Sequence, residues 1–148
     1  MRIPTPRTPR TVSPTGGKGL LIGSPRQGTH TLGNWQSDNA IDVKVPKGSP
    51  IFAARSGTIG SRIGPLDSKS PRFQGQRLTV EAGRNDFYYA HLSKILVKPG
   101  EHVKAGQLIG YSGKANGVPH LHFASRVGNP KAVWKPAKFN VAVLNRKR

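Results

Sequence analysis

The chain has 148 residues, a length that suits one domain, and no cysteine, which excludes disulfides and thiolate metal sites. Its 24 Lys and Arg against 6 Asp and Glu give a formal net charge of +18, which points to a polyanionic partner such as nucleic acid or an anionic bacterial cell wall. No apolar run approaches the roughly 18–20 residues of a membrane span or the roughly 7–15 of a signal-peptide core, so neither is expected.

Residues 1–30 read as a basic, Pro-rich arm: Pro4, Pro6, Pro9, Pro14 and Pro25 alternate with Arg2, Arg7, Arg10, Lys18 and Arg26, with no acid. Proline fixes φ and removes a donor, so the arm is expected to be disordered or laid along a partner. A domain is expected over residues 31–126, where short apolar runs are punctuated by Gly, Pro, Ser and Asn. Ile41-Asp42-Val43-Lys44-Val45 and Arg77-Leu78-Thr79-Val80-Glu81 alternate with the period of a half-buried strand. Phe87 to Leu92, Gln107 to Ser112 and His120 to Ala124 add further β-prone runs. Strands at this spacing predict an all-β sandwich or barrel, with no sustained helical periodicity. Val45-Pro46-Lys47-Gly48-Ser49-Pro50-Ile51 is echoed by Val97-Lys98-Pro99-Gly100-Glu101-His102-Val103, as a duplicated hairpin would be. Residues 127–148 are again basic, and Trp134 and Phe139 are their large aromatics.

With five histidines and no cysteine, any metal must be held by His, Asp or Glu. On a strand, residues two apart share a face, so His120 and His122 present two imidazoles side by side with Leu121 turned to the core. Such a pair can ligate zinc, or one can ligate while the other moves protons; it can also be a pair of solvated or core histidines. Asp42, flanked by Ile41 and Val43, is costly to ionise unless paired or metal-bound. His91, taken alone, reads more readily as a packed or surface histidine.

Taken together, Asp42, Tyr89-Ala90-His91-Leu92, the glycine hairpin Pro99 to Gly110 and His120-Leu121-His122-Phe123 resemble the lysostaphin/LytM-type zinc endopeptidases. The resemblance covers about residues 33–126. It implies an all-β fold of antiparallel sheets forming a groove, with basic arms at both ends. In that family a His-x-x-x-Asp motif supplies two zinc ligands and the second His of His-x-His the third. The other two histidines assist catalysis. Carried over, the metal ligands are Asp38, Asp42 and His122, and the catalytic residues His91 and His120. Asp38 stands where the family has His. A site of two carboxylates and one imidazole would be harder than usual and would tolerate another divalent ion beside zinc. His30, twelve residues before Asp42, is the alternative imidazole, set aside because its spacing does not match the motif.

The resemblance further implies hydrolysis of peptide bonds in bacterial peptidoglycan, with anionic wall polymers attracting the basic chain. Without a visible signal segment, delivery by a phage tail is expected, with tail proteins as partners and the virion as location. Three other readings compete. A catalytically degenerate member of the fold would bind walls or build a virion. A nucleic-acid binder is suggested by charge alone, without any reader motif. A biotinyl- or lipoyl-carrier-like domain lacks the lysine those domains modify.

Overall fold

The structure, a computed structural model, describes residues 12–24, 27–28, 30–66, 74–83 and 85–127. Its elements in chain order are β1 (Leu20–Gly23), a single helical turn α1 (Trp35–Asp38), β2 (Ala40–Lys44), β3 (Pro50–Phe52), β4 (Gly57–Ile59), β5 (Gly64–Pro65), β6 (Gln76–Ala82), β7 (Asn85–Ile95), β8 (His102–Val103), β9 (Leu108–Ala115) and β10 (Val118–Val127). The strands are hydrogen-bonded in the order β1-β2-β10-β9-β7-β6-β4-β8, with β3 on β9, β5 on β6, and β10 also on β7. These pairings are antiparallel, an arrangement that suits half-buried strands with alternating sequences.

Alternation sorts the side chains onto two faces. Ile41, Val43, Leu78, Val80, Phe87, Tyr89, Leu121 and Phe123 go inward to one core, joined by Ile51, Ile59, Leu92 and Ile109. The buried Tyr89 hydroxyl accepts the Ala54 N–H at 2.7 Å, so its polar end is satisfied inside that core. On the opposite face, Ala40, Tyr88, Ala90 and Ala124 form a small apolar floor on which Trp35 of α1 and Leu66 pack.

The two long strands change partners midway. β10 pairs with β9 over Val118 to His120, then with β2 and β7 from Leu121 onward. β7 pairs with β10 up to Ala90 and with β9 from Leu92. His91 sits at that switch with φ of 61°, in the left-handed region that non-glycine residues rarely adopt. The register of β6 on β7 slips there, from Leu78 opposite Tyr89 to Gln76 opposite Leu92. This bulge turns two consecutive residues, Ala90 and His91, to the same face before Leu92 returns to the core.

The sequence echo corresponds to two matching turns: Ser49 N–H bonds Pro46 O and Glu101 N–H bonds Lys98 O, at 3.1 Å each. Gly48 and Gly100 occupy the same turn position with φ of 86° and 81°, which glycine adopts without strain.

Part of the expected arm is not an arm. Val12 is buried, its N–H bonds Ala54 O at 2.8 Å, and Phe52 N–H bonds Pro14 O at 2.9 Å. Downstream, β1 pairs with β2 as an edge strand. The prolines forbid a central strand but not an edge contact, and the run Leu20-Leu21-Ile22 supplies the β-prone stretch. Residues 1–11 of the arm and residues 128–148 of the basic tail, with Trp134 and Phe139, lie outside the described residues.

Candidate metal centre

Four elements bring the site together. Asp42 on β2 lies opposite His122 on β10, and His122 lies opposite Ala90 on β7. Since His120 and His122 share a face of β10, and the bulge turns His91 toward it, three histidines and one aspartate converge. The His91 ring meets that of His120 at 5.0 Å between centroids and that of His122 at 5.6 Å. The fourth imidazole is His30, from the segment before α1, edge-on to His122 at 5.1 Å.

His30, Asp42 and His122 each offer one ligand atom, all within 4.8 Å of one another. His30 Nε2 lies 3.1 Å from Asp42 Oδ2, and His122 Nδ1 lies 3.3 Å from Asp42 Oδ1. His120 Nε2 stands 3.6 Å from the same Oδ1.

Every imidazole of the cluster has one nitrogen tied to a backbone carbonyl. The pairs are His30 Nδ1 with Ser24 O at 2.9 Å, His91 Nδ1 with Gln74 O at 2.7 Å, His120 Nδ1 with Val118 O at 2.8 Å and His122 Nε2 with Gln36 O at 2.6 Å. A carbonyl only accepts, so each of these nitrogens carries the proton. The other nitrogen of a neutral ring then presents a lone pair, as ligand histidines do.

His30 Nε2 and Asp42 Oδ1 are buried without a hydrogen-bond partner. Lone pairs facing one another in a buried cluster repel unless a proton or a cation lies between them. Burial pushes the Asp42 carboxyl up, but His122 and His30 outweigh it and hold the acid far below the usual carboxylate range. Burial likewise lowers His30, and the Asp42 carboxylate outweighs it and raises the imidazole above its ordinary value. The donor set, two imidazoles and one carboxylate with room left for a further ligand, fits a borderline divalent cation. His91 differs. Burial dominates and, with His122 and His120 nearby, lowers it to about 4 despite the Gln74 carbonyl.

Of the five residues expected here, the structure brings together Asp42, His122, His91 and His120 and leaves out Asp38. Asp38 ends the helical turn capped by Asn34, and its Oδ1 accepts the Gly33 N–H at 3.1 Å. On a continuous strand, residues 38 and 42 would share a face. The turn breaks that strand before Ala40 and rotates Asp38 away. His30, set aside on spacing, lies with Asp42 and His122 instead, so the group that could hold a metal has two imidazoles and one carboxylate.

Gly23 is the other residue that sequence reasoning missed: a Cβ there would lie 2.7 Å from Asp42 Oδ2. No sequence signal singles it out, because its role depends on β1 lying against β2. The fifth histidine, His102, is exposed and hydrogen-bonded to Thr58 Oγ1 at 2.9 Å, well away from the cluster.

The cluster opens into a cleft of about 590 Å³, whose lining includes Leu32, Arg62, Leu66, Arg77, Tyr88 and Asn116. No helix among the described residues is long and apolar enough to cross a membrane.

Known proteins are similar to this chain in sequence and in fold. The chain is 34% identical over 88 residues to the peptidoglycan DD-endopeptidase ShyA of Vibrio cholerae, covering 57% of this chain and 19% of that protein. It is 33% identical over 115 residues to lysostaphin of Staphylococcus simulans, covering 69% of this chain and 21% of that protein. The chain thus spans about a fifth of the length of these relatives. A solved structure of the Staphylococcus simulans enzyme superposes with a TM-score of 0.67 at 26% identity, over 90% of this chain and 55% of that one. The sequence profile of peptidase family M23 matches residues 36–133 of the 148, and with the antiparallel fold and the converging His and Asp side chains it shows that the chain belongs to that family.

Proposed function

We propose that the chain is a zinc-dependent endopeptidase that hydrolyses peptide bonds in bacterial peptidoglycan, with His30, Asp42 and His122 as the metal ligands. The observation that carries the reading is the pair of buried, unpartnered acceptors, His30 Nε2 and Asp42 Oδ1, converging with His122 Nδ1. Two nitrogen ligands and one oxygen favour zinc over the harder ions that a second carboxylate would have admitted. A bound zinc supplies Lewis-acid polarisation of the scissile carbonyl and acidifies a water molecule.

The protein's own groups do the rest. His91, kept neutral by burial down to about pH 4, accepts a proton from the attacking water at its free Nε2. His120, across the mouth of the cluster with its Nδ1–H on the Val118 carbonyl, donates from Nε2 to the carbonyl oxygen when its ring carries a second proton. The water oxygen bonds to the carbonyl carbon, the C–N bond breaks, and the proton held by His91 passes to the leaving amine. The carbonyls of Ser24, Gln36, Gln74 and Val118 fix the four rings so that no imidazole has to turn during this sequence.

Metal analysis coupled to mass spectrometry of peptides released from purified walls tests the reading. The expected result is one equivalent of divalent metal and bond cleavage in the wild type, with both lost in His122→Ala. Equal metal content and equal peptide release from the two proteins would overturn it. Delivery in a phage tail is part of the same proposal, supported by the basic composition of residues 1–11 and 128–148. Finding the chain in purified virions is the result expected.

A further inference from the structure

We infer that Trp35 and Arg126 are positioning residues for the metal centre: together they latch the helical turn α1 onto the sheet, so that its Gln36 carbonyl fixes the ring of His122. The inference rests on the reading of His122 as a metal ligand for its effect on metal binding, but not for the fixing of the ring.

The need for a latch follows from α1 itself. The carbonyl that holds His122 belongs to a helix of four residues, Trp35–Asp38. Isolated helices shorter than about 12–15 residues are marginal in water, so a single turn keeps its place only through what it touches. Asn34 caps the turn, its side chain accepting the Ser37 N–H at 2.9 Å. A cap fixes the shape of a turn, not its position on a sheet.

Register supplies the position. His122, Ala124 and Arg126 are alternate residues of β10 and share its cleft face, and opposite them on β7 stand Ala90, Tyr88 and Asp86. From His122 to Arg126 the strand rises about 13 Å. Between them Ala124 offers only a methyl group, and Trp35 packs against the floor that it forms with Ala40, Tyr88 and Ala90. The Arg126 guanidinium lies over the indole, 4.7 Å from the ring centroid, and its Nε is held by Asp86 Oδ2 at 2.9 Å. A cation over an indole face is the strongest pairing of this kind that a protein ring makes. The Tyr88 ring meets both Trp35, at 6.0 Å, and His122, at 5.9 Å, in edge contacts. Just past the turn, Asn39 Nδ2 donates to Ser125 O at 3.1 Å, tying it to the same stretch of β10.

What the latch secures is a choice of nitrogen. With Nε2–H on the Gln36 carbonyl at 2.6 Å, His122 turns Nδ1 toward Asp42 Oδ1. A ring released from that carbonyl is free to rotate or to take the other tautomer, and Nδ1 then no longer presents its lone pair where His30 and Asp42 converge. The segment from His30 to Asp42 carries a candidate ligand at each end, and the latch is where its middle meets the sheet. Trp35 and Arg126 themselves stand outside both the ligand group and the cleft lining, so they act through Gln36 and His122.

Three measurements test the inference: zinc affinity by competition with a chromophoric chelator, the visible spectrum of the cobalt-substituted protein, and hydrogen exchange at the His122 ring in metal-free protein with nitrogen-labelled histidine. The wild-type Nε2–H is expected as a protected resonance, assigned by its loss in His122→Ala. In Trp35→Ala its exchange should be at least about tenfold faster and zinc binding at least about tenfold weaker, with the cobalt bands displaced. Trp35→Phe, which keeps a ring face for the guanidinium, should fall between Trp35→Ala and wild type. Arg126→Gln should move exchange and affinity in the same direction by about threefold or more.

Val103→Ala is the control, since it truncates a buried core residue on β8, at the other end of the strand order from β1. It should lower the melting temperature while leaving ring exchange and zinc affinity within about twofold of wild type. Ring exchange or zinc affinity within about twofold of wild type in Trp35→Ala, or equal effects from Val103→Ala, overturns the inference. If Trp35→Ala does not fold, the same readings on Arg126→Gln decide. A wild type that binds neither zinc nor cobalt sinks the metal-centre reading instead, and ring exchange alone then decides the latch.

Discussion

Gly23 shows how much a single hydrogen in place of a methyl decides here. A Cβ at this position would lie 2.7 Å from Asp42 Oδ2 and 3.1 Å from Asp42 Cβ, so Gly23→Ala must push the carboxylate toward the imidazoles or away from them. Isothermal titration of the variant is expected to show zinc affinity reduced about tenfold or more with the fold intact. The proposed choice of His30 over Asp38 as metal ligand gives a sharper comparison. His30→Ala is expected to lower zinc affinity by at least about a hundredfold, whereas Asp38→Asn, which keeps an acceptor for the Gly33 N–H, should leave it within about twofold. The opposite ranking would return Asp38 to the ligand set. His120, His122 and Asp42 were legible in the sequence because strand alternation puts them on one face whatever else the chain does. His30 was not: its position depends on the loop and helical turn between it and β2, and no periodicity encodes their path.

At the level of single elements, the bulge in β7 sets the position of His91. Its left-handed backbone is enclosed on both sides by glycine. A Cβ on Gly113 would come 2.5 Å from His91 O, and one on Gly75 2.9 Å from the His91 backbone carbons. Gly113→Ala is expected to cost about 1–3 kcal/mol of stability by denaturant titration and to lower wall hydrolysis by more than tenfold, because the bulge cannot keep its shape. The same buried residue makes the metal-free protein sensitive to acid. The folded chain takes up the His91 proton only near pH 4, against 6.5 for the free side chain. Between those values the unfolded chain binds more protons, so stability falls as pH drops, by up to about 1.4 kcal/mol per unit. Asp42, held low in the fold by His122 and His30, adds in the same direction below 3.8. The raised His30 acts oppositely, losing stability as pH rises above 6.5. Melting curves in chelator should therefore shift downward from pH 6.5 to 4, and a flat profile would contradict the neutral, buried state of His91. The His91 segment could be recognised by its likeness to a family motif. Its bulge could not be read, since alternation alone would have turned His91 to the core side of β7.

For the whole molecule, charge and chemistry separate. A net charge of +18 acts over about a Debye length, near 10 Å in 0.1 M salt, whereas the proposed hydrolysis belongs to the inside of a cleft. Raising the salt should release the protein from purified anionic walls in a sedimentation assay while changing cleavage of a short, uncharged peptide by less than about twofold. Salt-independent sedimentation would remove charge from the account. Fold class was readable from β-prone runs and turn residues, because such signals are local. The boundary at residue 30 was not, because an edge strand after prolines has the composition of a linker until β2 lies alongside it. That edge also gives the metal a mechanical role. A chain without cysteine has no covalent cross-link, yet one ion gripping residues 30, 42 and 122 would clip the segment before α1 to two neighbouring strands, one early and one late in the sequence. Zinc should then slow amide exchange in residues 27–34 far more than in β6, so that an empty site relaxes first where its ligand is anchored to no strand.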